Sequence, residues 1–152
     1  MLQIDVPKDY DYIGFRCLDD VWNEYILDDK TIIKIKTVIL KIIDRGNDEH
    51  SLNETNLIIT YSPSQLRGRP SAEKLSIPEL ATAEDTTDIG FKESVGQWIR
   101  YELENGLKID LKPMLISVSR TNKFDSHGEP VYLIQTHTLH KIIPKKKKSQ
   151  EN

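Results

Sequence analysis

The chain of 152 residues has one cysteine, Cys17. No intramolecular disulfide can form, so the fold must hold without a cross-link, and a lone thiol suits a reducing cytosol. Long apolar runs are missing too. No stretch approaches the roughly 20 residues that a membrane-spanning helix needs. The opening residues, MLQIDVPKDYDY, lack a basic region followed by an apolar one, so no secretory leader is expected. There is no glycine-rich phosphate loop, no pair of cysteines and no nucleophile with a recognisable partner. These absences point to a cytoplasmic protein that is not an enzyme, holds no cofactor and enters no membrane.

Positive charge is scarce in the body. The whole chain is −3. Residues 145–152 carry Lys145, Lys146, Lys147 and Lys148 against Glu151, or +3, which leaves −6 for the rest. An acidic body disfavours a broad nucleic-acid footprint. The basic end is expected to be a disordered tail, suited to a local contact with phosphate or an acidic partner.

What the chain does have is one stretch written twice. Residues 13–36, IGFRCLDDVWNEYILDDKTIIKIK, align without a gap on residues 89–112, IGFKESVGQWIRYELENGLKIDLK, at an offset of 76. Eight of the 24 positions are identical: Ile13/Ile89, Gly14/Gly90, Phe15/Phe91, Trp22/Trp98, Tyr25/Tyr101, Leu27/Leu103, Ile33/Ile109 and Lys36/Lys112. Average composition gives roughly one or two by chance. The match resumes weakly at Leu57 and Ile58 against Leu133 and Ile134. Cys17 faces Glu93 across the repeat, so the thiol is no part of the repeated design. The pattern predicts a tandem duplication: a first unit over 1–61, a linker over 62–88 and a second unit over 89–144. A lone unit of about 60 residues is marginal, so the pair is expected to behave as a fused dimer.

The predicted fold class is all-β. In the second copy Ile99, Tyr101 and Leu103 alternate with polar residues, and Leu107, Ile109 and Leu111 do so again beyond Asn105-Gly106, a favoured tight-turn pair. The first copy has Asp28-Asp29-Lys30 at its turn, which is weaker chemistry. Apolar phase then shifts by one, from Ile33 and Ile35 to Val38, Leu40 and Ile42, and from Ile109 and Leu111 to Met114, Ile116 and Val118. A bulge or bend at Lys36-Thr37 and at Lys112-Pro113 restores the facing. Polar loops are read over 44–56 and 120–130, with strands at 57–61 and 131–138 beyond them. Leu2, Ile4 and Val6 suggest a short edge strand. A glycine kept at Gly14 and Gly90 suggests an unusual backbone angle or a close approach. Each unit is expected to be a curled sheet of about four strands, the pair forming two small barrels or one pseudo-two-fold sandwich. At most one short helix is expected, capped by Ser76 with Pro78 and Glu79 in its first turn.

Three constellations bear on function. The linker tetrapeptide Arg67-Gly68-Arg69-Pro70 resembles the core of the AT hook, a DNA-binding peptide motif of chromatin proteins. That resemblance implies contact with the minor groove of A/T-rich DNA, two arginines lying along the narrow groove and glycine approaching its floor. Gln65, Leu66, Ser71 and Ala72 stand where the motif usually has basic residues or proline. Lys145 to Lys148 would assist. A solvated basic turn is the plain reading of the same residues. Second, His127, His137 and His140 with Asp125 and Glu129 are residues that bind zinc, but His137 and His140 three apart on a strand face opposite ways, so no metal site is expected. Third, Trp22, Tyr25, Trp98 and Tyr101 with Lys36 and Lys112 form a set that on small barrels stacks single-stranded bases. Packing within the fold is favoured, because such large aromatics anchor cores.

The functional expectation is a non-enzymatic binding or scaffold module that presents two related β units to a protein partner, with DNA binding through Arg67 to Pro70 as the alternative. Nineteen isoleucines against six valines hint at an A/T-rich coding genome and a prokaryotic source.

Overall fold

Alternation at a period of two yields strands throughout. In the computed structural model, residues 3–5, 10–47 and 49–144 are described; Leu2, Val6 and Lys145 to Lys148 lie outside them. In chain order the strands are β1 (Gln3–Ile4), β2 (Tyr12–Ile13), β3 (Phe15–Asp19), β4 (Asn23–Leu27), β5 (Ile32–Gly46), β6 (Glu49–Tyr61), β7 (Glu84–Thr86), β8 (Phe91–Val95), β9 (Ile99–Leu103), β10 (Lys108–Phe124) and β11 (Pro130–Ile143). The linker carries one 3-10 turn (Ser64–Leu66) and one helix, α1 (Ile77–Thr82). Ser76 caps α1, its hydroxyl accepting from Glu79 N at 3.3 Å. No helix among the described residues is long and apolar enough to cross a membrane.

The strands form two antiparallel sheets, and neither closes on itself. The first runs β1-β3-β9-β10-β11, with β7 also on β10. In the second, β5 bonds to β4, β2 and β6, and β4 bonds to β8. The short β1 sits at the edge of the first sheet, with Gln3 opposite Arg16.

Strand partners cross between the two stretches of similar sequence. β3 does not pair with its neighbour β4 but with β9; β8 pairs with β4 rather than β9. The registers correspond at the 76-residue offset. Phe15 lies opposite Leu103 and Cys17 opposite Tyr101, as Phe91 lies opposite Leu27 and Glu93 opposite Tyr25. Two cores result. One gathers Ile13, Phe15, Cys17, Ile39 and Ile42 with Ile99, Tyr101, Leu103, Ile109 and Leu111. The other gathers Tyr25, Leu27, Ile33 and Ile35 with Ile89, Leu115 and Val118, and Phe91 packs against them. Each core therefore draws on both halves of the chain.

The predicted bend is displaced. Thr37 is fully buried at the proposed break, and Pro113 is buried too, so alternation runs straight through both. The register shifts fall between Ile39 and Lys41 and between Leu115 and Ser117. Leu40 and Ile116 are the extra residues. They are exposed, while Ile39 and Leu115 are buried in their place, contrary to the expected facing of Leu40 and Ile116. Thr37 tolerates burial because its hydroxyl donates to Asn56 Oδ1 at 2.6 Å. A bulge leaves a ladder group unpaired, and a tyrosine from the opposite sheet attends to each. Tyr101 accepts from Ile39 N at 3.2 Å, and the Tyr25 hydroxyl lies beside the Leu115 backbone. Two of the eight identities thus occupy equivalent places beside the bulges.

Both hairpin tips have the same geometry, although only one has glycine. Lys30 N donates to Leu27 O at 2.9 Å and Gly106 N to Leu103 O at 2.8 Å. Asp29 and Asn105 each accept from the backbone N–H two residues on. Lys30 has φ 76° and Gly106 φ 90°, a region that penalises any side chain. Replacing Lys30 with Gly should raise stability by about 0.5–1 kcal/mol in urea denaturation, and Gly106→Lys should lower it by about 1 kcal/mol. Gly14 and Gly90 serve close approach instead: a Cβ on Gly14 would sit 2.9 Å from a Glu104 carboxylate oxygen, and the Asp28 carboxylate covers Gly90 likewise.

The polar stretches read as loops are mostly strand. β6 begins at Glu49 and β11 at Pro130, and β5 and β10 run on to meet them. Backbone pairing carries these long hairpins past the end of the apolar pattern. The second hairpin is also longer: 21 residues separate Lys36 from its partner Leu57, and 27 separate Lys112 from Leu139. Leu139, not Leu133, therefore occupies the place of Leu57.

Candidate functional site

The linker tetrapeptide lies as a strap across the loop between β10 and β11. Gly68 N donates to Gly128 O at 2.9 Å and Ser71 N to Asp125 O at 2.9 Å. Gly68 turns its bare face to the Phe124 ring, where a Cβ would overlap the ring atoms. Arg67 Nε stands 3.5 Å from Glu129 Oε1. Glu129 is mostly buried and also accepts from the Ser62 N–H and hydroxyl. Arg69 is exposed, and Pro70 lies near Gly128. The glycine thus has an internal packing role, and groove-floor contact through it requires the strap to leave the loop.

The histidines stand apart. His127 and His137 are exposed, and His140 meets Glu54 at 2.7 Å. His50 lies 3.5 Å from Asn105. Among the described residues no three His, Cys, Asp or Glu side chains come together as metal ligands.

The aromatic set splits by face. Tyr25 and Tyr101 are 2% exposed and belong to the cores, whereas Trp98 is 40% exposed. Trp22 is half-buried beneath Lys36, whose ammonium sits 5.2 Å from the ring centroid and bonds Asp20. Burial pushes the Tyr101 hydroxyl up to about 12, which keeps it a neutral hydrogen-bonding group. Burial also raises the Cys17 thiol, so it is a protonated core side chain and a poor nucleophile.

One polar cluster ties the halves together. Arg120 donates to Asp29 Oδ2 at 2.8 Å and to Thr86, and Tyr132 donates to the same Asp29 oxygen at 2.9 Å. Burial pushes the Asp29 carboxyl up, but hydrogen bonds from Thr31, Tyr132 and Arg120 outweigh it and hold the carboxyl below its ordinary value. Burial lifts Tyr132 to about 12. All of these groups are satisfied by one another, which marks the cluster as a lock on the first hairpin tip.

The outward faces of the two sheets differ where the strands correspond. On the second sheet Ile26, Ile32 and Tyr61 lie in one row, with Ile59 and Leu57 in the next rows. All five are exposed. The matching row on the first sheet is Glu102, Lys108 and Ile143, followed by Lys141 and Leu139. Glu102 there takes an ion pair from Arg16. Three isoleucines on one face thus correspond to three charges on the other, in equivalent backbone settings. The fold does not need the isoleucines outside, so the apolar face is a feature in its own right. Its signal in the sequence is the run Leu57-Ile58-Ile59-Thr60-Tyr61, which breaks the alternation that a half-buried strand shows.

Compared with protein-family models, with curated proteins and with solved structures, the chain matches none.

Proposed function

We propose that the protein is a non-enzymatic binding or scaffold module, built by tandem duplication of one β unit and engaging a protein partner through the outward face of its second sheet. The duplicated units are residues 1–61 and 89–144, joined by 62–88, and they act as a fused pseudo-dimer by exchanging β3 and β8. The observation that carries the reading is the contrast of Ile26, Ile32 and Ile59 with Glu102, Lys108 and Lys141. An apolar patch that packing does not require marks an interaction surface.

The test uses two baits in source-cell lysate, each with and without nuclease. One is the wild type. The other carries Ile26→Glu and Ile32→Lys, the pair that Glu102 and Lys108 already form on the first sheet, so it should fold with an unchanged melting temperature. A protein should be captured by the wild type, at least about tenfold less by the variant, and equally with nuclease present. Equal capture by both baits defeats the reading. Capture that nuclease abolishes would favour DNA binding through Arg67 and Arg69 instead.

A further inference from the structure

We propose that the protein pairs with a second copy of itself through the open edge of β6, antiparallel and centred on Ile58. This goes beyond the reading above, because it concerns a strand edge and a homotypic partner.

Among the described residues β6 is bonded only to β5, and β11 only to β10. Each therefore presents a row of backbone N–H and C=O groups with no strand beside it. Such edges template pairing with other chains unless charges guard them. The two edges are treated differently. From Thr55 to Tyr61 β6 has no charged residue, and Leu57, Ile58, Ile59 and Tyr61 are 45, 38, 39 and 49% exposed. At the corresponding places β11 has Leu139, His140, Lys141 and Ile143. Lys141 projects outward beside its edge, and His140 is engaged by Glu54. At these places β11 carries Lys141 where β6 has Ile59, although β11 too is uncharged from Val131 to Leu139. On the inner side, a cleft of about 600 Å³ lies between Ile58, Tyr132 and Ile134 of the strands and Ile77 and Leu80 of α1.

Charge and pattern favour a second copy as the occupant. Antiparallel pairing about Ile58 sets Leu57 against Ile59, Asn56 against Thr60 and Thr55 against Tyr61. Outward side chains meet outward ones and apolar meets apolar; Glu54 falls opposite Ser62, which lies beyond the end of β6 and whose N–H and hydroxyl already hold Glu129. Within Thr55 to Tyr61 no like charges stand opposite one another, the condition under which cross-strand pairs stabilise. Lys34 and Lys36, on the neighbouring strand, are already paired with Glu24 and Asp20. The dimer would join two second sheets into one continuous sheet.

Sedimentation velocity on the full chain, from roughly micromolar to hundred-micromolar concentration, decides the matter. The wild type should sediment as a dimer at the upper end. Ile59→Lys, which copies Lys141 from β11, should weaken the dimer at least about tenfold with melting temperature unchanged. Leu139→Lys, on β11, should leave it intact. Amide exchange in the wild type gives a second readout that needs no variant: protection within 57–61 should rise with protein concentration. A wild type that stays monomeric overturns the proposal, whether or not β6 binds another protein's strand. So does equal weakening by both lysines, or exchange within 57–61 that ignores concentration. Ile26 and Ile32 lie off this edge, so loss of self-pairing and loss of a captured partner are read separately.

Discussion

Residues 1–76 made alone should show no cooperative unfolding transition, and neither should residues 77–152. An equimolar mixture of the two should regain strand signal in circular dichroism and melt as one unit. The reason lies in how the cores are divided. Without the second half, Ile13, Phe15, Cys17, Ile39 and Ile42 lose Ile99, Tyr101, Leu103, Ile109 and Leu111, half of the buried residues of their core. β3 also loses β9, the strand that carries its ladder in the center of the first sheet. The second half fares no better, since Ile89, Leu115 and Val118 lose Tyr25, Leu27, Ile33 and Ile35. A fragment of this size already buries a modest share of its surface, and here it would keep less than one complete core. A half that melts cooperatively by itself would show that the units are self-contained.

The second large effect separates adjacent residues. Ile39→Ala and Leu115→Ala should each cost about 2–5 kcal/mol, because both side chains are buried and their removal leaves a cavity. Leu40→Ala and Ile116→Ala should each cost under about 0.5 kcal/mol, as exposed positions do. Leu40 is 51% exposed and Ile116 55%. The contrast arises because the bulge turns each extra residue away from the core. Ile39 keeps its backbone N–H on the Tyr101 hydroxyl. Urea denaturation of the four variants reads the difference directly. Comparable losses at Leu40 and Ile39 would place the bulge elsewhere.

These two predictions mark where the sequence was legible. Alternation at Ile99, Tyr101 and Leu103, and at Ile33 and Ile35, identified the strands and their buried faces, because a period of two leaves no other amphipathic choice. Asn105-Gly106 identified one hairpin tip, and the repeat pointed to the other despite Lys30. The bulge was misplaced by a few residues. Thr37 looked like a polar interruption, but a threonine whose hydroxyl is bonded can be buried. Ile39-Leu40 and Leu115-Ile116 are adjacent apolar pairs, and hydrophobicity alone does not say which member turns inward. Strand exchange left no trace in the pattern, since alternation specifies a face and never a partner. The polar lengths of β6 and β11 were read as loops because backbone pairing, not side-chain burial, extends them.

The candidate surface was legible only in part. Arg67 to Pro70 stood out as a motif, yet the Gly68 contact with Phe124 is long-range and has no local signal. The apolar face emerged only when Ile26, Ile32 and Ile59 were set beside Glu102, Lys108 and Lys141 in three dimensions. Lys141 and Ile59 do not share the 76-residue offset, so the comparison depends on the hairpin registers.

The exchange of β3 and β8 between the halves is best tested by nuclear Overhauser contacts on the isotope-labelled full chain. Cross-strand backbone contacts should connect Cys17 with Tyr101 and Phe15 with Leu103, and likewise Glu93 with Tyr25 and Phe91 with Leu27. Contacts that instead join β3 to β4 and β8 to β9, each within its own half, would contradict the shared cores and the account built on them.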